Sequence, residues 1–227
     1  MLKERMQLLE KLLFFSEFIA LIAGLTSWKT ISDKKVKAFV LYIAVIVISE
    51  QIGYYLGRSN YRYVNMMFMN YLVIPLEFIF LYVFFYMHLQ GRMAKNICLF
   101  FSVTSILVRI LEFTLLKGSK YIFSSLSYVV SDFFLLIILM IFLWQFINSD
   151  KLLNYHRHFV FWVSIALLVF YLGTFPLYTF YNFLYKEHEV SFNLYWQIMM
   201  CLNIFMYLSF AAGLIWTNRR KYQSLSL

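Results

Sequence analysis

The chain has 227 residues, 63% of them hydrophobic, 22% aromatic and 14% charged, with a net charge of +9. A soluble domain is nearer half apolar and a quarter charged, so the composition excludes a soluble fold and bounds the chain to one membrane domain. Nucleic acid is not the partner the charge implies, because the basic residues stand in short loops between apolar runs, where they hold loops at a membrane surface.

Residues 1–11 come first. They place Leu2, Met6 and Leu9 at helical spacing with Lys3, Glu4, Glu10 and Lys11 between, an amphipathic lead-in expected to lie at the interface. Seven apolar runs follow, at about 12–28, 38–57, 66–88, 96–116, 121–147, 158–182 and 194–217, each long enough to be read as a transmembrane helix. No small-residue cleavage site follows the first, so it reads as a retained helix. The connections are short, which makes successive helices antiparallel neighbours. The expected fold is all-α: a polytopic seven-helix bundle occupying 1–227 as one transmembrane domain. Cys98 and Cys201 lie inside apolar runs without metal or redox spacing and read as structural.

Lys and Arg in the loops set the orientation. One side collects eleven, including Lys34, Lys35, Lys37, Lys151, Arg157, Arg219, Arg220 and Lys221. The other collects eight, including Arg58, Arg62, Lys117, Lys120 and Lys186. Trp28, Trp144, Trp162 and Trp216 fall at the richer side, as an interfacial belt would. This places the N-terminus outside and the C-terminus in the cytoplasm, in the inner membrane of a bacterium.

The polar residues inside the runs carry the functional signal. Glu77 sits near the middle of the third run, where a carboxylate costs ~2.5–3.5 kcal/mol on insertion scales. With Glu17, Glu50, Glu112 and Asp132 it makes five intramembrane acids, against one base, Arg109. At ~1.5 Å per residue, these groups and Asn70, Gln197 and Asn203 gather in the outer half. Asn70 and Glu77 share a helix face. Ser102, Ser105, Arg109 and Glu112 line one face of the fourth run, Ser124, Ser127 and Ser131 one face of the fifth, and Tyr171, Thr174, Tyr178 and Asn182 one side of the sixth. Arg109 and Glu112, three apart, are placed to pair. The remaining acids need protons, a cation, an amine or water beside them. The expected site is therefore an outward polar pocket built from Glu50, Asn70, Glu77, Arg109, Glu112, Asp132 and Gln197.

Interhelical hydrogen bonding is the plainer role for such residues, and it is favoured for Glu17 and Asn203. Pro75 and Pro176 read as kinks. Gly53-x3-Gly57 and Ala20-x3-Gly24 read as close helix contacts. His156, Arg157 and His158 read as a solvated loop, and no His, Asp and Cys set suits a catalytic zinc. No nucleophile elbow or phosphate-cradling loop occurs, so no enzyme activity, cofactor or metal is expected. The expected function is a receptor-like membrane protein that binds a small polar or cationic ligand and signals to a cytoplasmic partner. A proton- or cation-coupled transporter or an oligomeric pore is the alternative. The partners expected are membrane lipid, that ligand, a cytoplasmic protein and further copies of the chain.

Overall fold

The computed structural model describes residues 2–59, 61–115, 123 and 125–223. The last residue of the fourth run, the start of the fifth, Lys117, Lys120 and Ser124 lie outside the described residues, as do the side chains of Lys3, Arg62 and Arg219 to Lys221. The described chain is helical: α1 (Leu2–Ser27), α2 (Lys34–Arg58), α3 (Arg62–Phe68), a π-turn (Met69–Val73), α4 (Ile74–Tyr86), α5 (Arg92–Leu115), α6 (Ser125–Ile147), a 3-10 turn (Asp150–Arg157), α7 (Phe159–Thr179), α8 (Tyr181–Glu187) and α9 (Glu189–Gln223).

Among the described residues, six segments are long and apolar enough to cross a membrane: Lys34–Arg58, Tyr63–Tyr86, Arg92–Leu115, Ser125–Ile147, Phe159–Thr179 and Val190–Thr217. The protein is a multi-pass, all-helical membrane protein. α1 differs from the six for a compositional reason. Lead-in and first apolar run form one unbroken helix, and Glu10, Lys11 and Glu17 interrupt its apolar stretch within eight residues of one another.

Local chemistry sets the ends of these helices. Asp33 caps α2, its Oδ1 accepting the Lys35 amide at 2.9 Å, which satisfies one of the first-turn donors a helix leaves open. Gly91 takes a φ of +78° in the turn before α5, a left-handed conformation that glycine adopts without Cβ strain. The π-turn precedes Pro75, which has no amide proton to give.

The helices close into a ring. α9 packs on α7 and on α1, α1 on α2, α2 on α3 and α4, α4 on α6, and α6 on α7. α5 stands outside the ring, against α4 and α6, with Leu99, Phe100, Val103, Leu107 and Leu111 exposed on its far side. That apolar face is what a lipid-facing helix presents. Where α1 meets α2, a Cβ on Gly24 would stand 2.7 Å from Val40 Cγ1. Where α9 meets α7, one on Gly213 would stand 2.9 Å from Trp162 Cβ. Small residues at both seams let the backbones approach, the packing device of membrane helices.

The core is aromatic. Phe39, fully buried, has its ring 4.9 Å from Phe84, 5.2 Å from Phe210 and 5.4 Å from Phe159. Tyr42 stacks on Phe80 at 4.2 Å. Edge-to-face and offset contacts of this kind add to the dispersion already gained on burial. The cluster fills the half of the bundle nearer the ends of α4 and α6 and the start of α2, and it forms the floor of the cavity described next.

Candidate functional site

A cavity of about 600 Å³ occupies the other half, enclosed by α1, α2, α3, α4, α6, α7, α8 and α9. Its exposed edge is formed by Glu10, Tyr54 and Arg58, so it opens at the bundle end where α2 finishes. Three acids line it, Glu10 at the rim beside Arg58, and Glu50 and Glu77 deeper in. Each of the deeper two has a tyrosine donor: the Tyr171 hydroxyl donates to Glu77 Oε1 at 2.7 Å, and the Tyr207 hydroxyl to Glu50 Oε1 at 3.0 Å. Each of these carboxyls is thus oriented by a bond from a buried tyrosine, and Glu50 is also hydrogen-bonded to Glu17.

Much of the remaining lining is aromatic, aliphatic and thioether. The rings of Tyr128 and Tyr178 lie 4.0 Å apart, Phe123 lies against Tyr178 and Tyr181 at 5.4 and 4.8 Å, and Tyr178 donates to Met199 Sδ at 3.3 Å. Asn65 and Asn203 also face the cavity, and the side-chain oxygen of each is buried without a hydrogen-bond partner among the described residues. A second hollow, in the groove between α1 and α2, shares Glu50, Glu10, Tyr54 and Arg58 with the first. Glu17 lies there, 2% exposed and against Glu50 and Gln51. Glu50 therefore stands between the cavity and the α1–α2 groove.

Of the residues expected to form the site, only Glu50 and Glu77 line the cavity. Asp132 lies behind its wall, fully buried, with neither carboxyl oxygen hydrogen-bonded among the described residues. Gln197 is half-buried on α9 away from the lining.

Asn70, Arg109 and Glu112 are drawn into helix repair. Asn70 lies in the π-turn, where the Ile74 amide bonds Met69 O. The next donor along, Pro75, has no N–H, so the Asn70 carbonyl has lost its helical partner. Arg109 Nη1 donates to that carbonyl at 2.7 Å. Glu112, expected to pair with Arg109, instead accepts the Ser127 amide at 2.9 Å in the first turn of α6, where a carboxylate suits both the open donor and the helix dipole. The serine face of α5 bonds α4: Ser105 Oγ and Tyr82 Oη are 3.1 Å apart.

The sixth apolar run, expected to be continuous to residue 182, breaks at Phe180, four residues after Pro176. Asn182 falls in α8, whose side chain ties that helix to Phe123 O and Ser125 Oγ at 3.2 Å each. The π-turn and this break both border the cavity, through Met69 and Val73 on one side and Tyr178 and Tyr181 on the other. Cys98 and Cys201 are free thiols, the first buried against Tyr82 O.

Sequence reasoning missed Tyr207, Asn65 and Glu10. For Tyr207 a signal was present: Met199, Asn203, Tyr207 and Phe210 recur at helical spacing on α9 and all face the cavity. Among 18 tyrosines and 26 phenylalanines that stripe does not stand out. No group of three His, Cys, Asp or Glu able to hold a metal occurs among the described residues. No family model, curated protein or solved structure matches the chain.

Proposed function

We propose that this protein is a receptor-like membrane protein whose cavity binds a small organic cation, an ammonium ion with an apolar or aromatic body. The observation that carries the reading is the placing of Glu50 and Glu77, each oriented by a tyrosine, in a cavity whose wall is mostly aromatic, aliphatic and thioether, with Glu10 and Arg58 at its rim. A cation with an apolar body meets both needs: carboxylates to neutralise it and π-faces that attract it. About 600 Å³ is within the ordinary range for small-molecule sites.

In this reading α1 is a seventh span, the cavity opens outward and the C-terminus of α9 lies in the cytoplasm of a bacterial cell, following the loop charge. The basic segment at Lys34, Lys35 and Lys37 then faces an acidic cytoplasmic partner or anionic lipid. A reporter fused after Leu227 is expected to be active only in the cytoplasm, and activity outside would invert the cavity.

A proton- or cation-coupled transporter is the second reading. It is favoured by one observation, the two interrupted helices bordering the same cavity, since discontinuous helices beside a substrate site are a transporter device. Protein in proteoliposomes separates the two. A receptor binds quaternary and aryl-alkyl ammonium ions without accumulating them, whereas a transporter accumulates them and responds to a pH gradient. Absence of binding by every ammonium tested would refute both.

A further inference from the structure

We propose that the opposite end of the bundle holds an anion site, for a phosphate-class group, formed by His88, Lys151, Arg157, His158 and Thr217. A second cavity, of about 200 Å³, lies there among α2, α6, α7, α9, the 3-10 turn and the segment after α4. Lys151 and Arg157 come from the 3-10 turn, His158 from the residue before α7, His88 from the segment after α4, and Thr217 from α9. Three stretches distant in sequence, at His88, at 151–158 and at Thr217, thus place cationic or donor groups around one hollow large enough for a phosphate.

Two of its polar atoms are buried without a hydrogen-bond partner among the described residues, His88 Nε2 and Thr217 Oγ1. His88 Nδ1 is engaged with Phe84 O at 2.7 Å, so this nitrogen carries the proton and Nε2 is a bare acceptor while the ring is neutral. Protonation turns Nε2 into a donor aimed at the hollow. α7 begins at Phe159 and its cap residue His158 makes no side-chain capping bond. Phe159 and Val160, which line the cavity, carry opening amides with no intrahelical acceptor, at the positive end of the helix dipole.

The surrounding charges are mixed, and their engagements matter. Asp33 also lines the cavity, but its Oδ1 is held by the Lys35 amide. Lys35 Nζ donates to Met87 O at 2.6 Å beside His88. The Gln145 side-chain amide accepts the Gln90 N–H at 2.8 Å and donates to the Gln90 carbonyl at 2.9 Å, closing one wall. Asp150 and His156, on the same turn as Lys151, are not among the lining residues. Burial holds the imidazoles of His88 and His158 below their ordinary pKa, and Lys151 contributes in the same direction to both. An anion between them reverses that bias, so binding takes up protons and strengthens as pH falls.

This site is independent of the ammonium cavity and is tested on the full chain in nanodiscs. The readout is amide hydrogen exchange across residues 148–162, which contain the turn and the start of α7. One arm titrates inorganic phosphate into phosphatidylcholine discs at constant ionic strength, at pH 6 and pH 8. The other replaces a fifth of the lipid with phosphatidic acid. Slowed exchange that saturates in the first arm assigns the site to a soluble anion, and slowed exchange in the second alone assigns it to a lipid headgroup. Either supports the proposal if the double variant Lys151→Gln, Arg157→Gln weakens the protection about tenfold or more, as loss of charge-assisted bonds predicts, and if His88→Gln removes the gain at pH 6. Both substituted cations are exposed, so folding is preserved. Exchange unchanged in both arms, or equal protection in wild type and double variant, overturns it.

Discussion

Glu77→Gln separates the charge of the cavity from its architecture. Glu77 Oε1 accepts the Tyr171 hydroxyl at 2.7 Å, and a glutamine oxygen accepts the same bond, so the fold should lose no more than about 1 kcal/mol. A bound ammonium loses more. Opposite charges ~4 Å apart attract by about 4 kcal/mol at an effective dielectric of ~20, partly offset by the cost of stripping water from the cation. A hydrogen bond to a charged partner exceeds a neutral one by roughly 1–1.5 kcal/mol, which alone is about tenfold in affinity. Affinity should therefore fall about ten- to a hundredfold. The assay is equilibrium binding of an aryl-alkyl ammonium ion to nanodisc-held protein, with thermal unfolding as the folding control and the uncharged alcohol of the same shape as the chemical control. The alcohol should bind both proteins alike. Ammonium affinity within about twofold of wild type, a difference worth only ~0.4 kcal/mol, would refute the claim that the cavity recognises charge.

Four further outcomes follow from the same geometry. Arg109→Met should destabilise the protein by about 1–3 kcal/mol, the cost of leaving the Asn70 carbonyl unpaired; in a Pro75→Ala background the restored amide should shrink that cost, which a double-mutant cycle measures. Gly53→Leu should block the cavity, because a Cβ there already meets the flexible Met69 tip and stands 3.1 Å from Asn65 Oδ1; binding should vanish while thermal unfolding moves little. Gly213→Ala should cost about 1–3 kcal/mol in the same unfolding assay, since its Cβ would press on Trp162 Cβ at a seam that cannot open freely. His88 and His158 are held below the ordinary imidazole value, chiefly by burial. The unfolded chain then binds more protons in that range, so stability is full above about pH 6.5 and declines as pH falls through it. His88→Gln should flatten the difference in unfolding temperature between pH 8 and pH 5.5.

The period and length of the apolar runs carried the fold: every one of the six membrane-length helices lies where an apolar run was read. What length could not convey was interruption. Pro75 and Pro176 looked like kinks, yet one accompanies a π-turn and the other precedes a break at Phe180, because the outcome depends on which neighbour takes up the freed carbonyl. Arg109 shows this most clearly. Its position beside Glu112 suggested an ion pair, and only the orphaned Asn70 carbonyl, 39 residues away, explains where it points. The acids divided for a similar reason. Glu50 and Glu77 face the ring interior, Glu112 bonds the start of α6 and Asp132 lies buried behind the cavity wall, and helical spacing alone does not say which neighbour a face meets. The tyrosine partners were hidden by abundance, since hydroxyls that orient carboxylates look in sequence like the rings that fill the core.

Native mass spectrometry of protein extracted gently from its own membrane tests the central claim most directly, with wild type beside the double variant Glu50→Gln, Glu77→Gln. The account predicts a discrete low-mass cationic adduct on the wild type that is lost from the variant. Only bulk lipid on both proteins, or the same adduct on each, would contradict it.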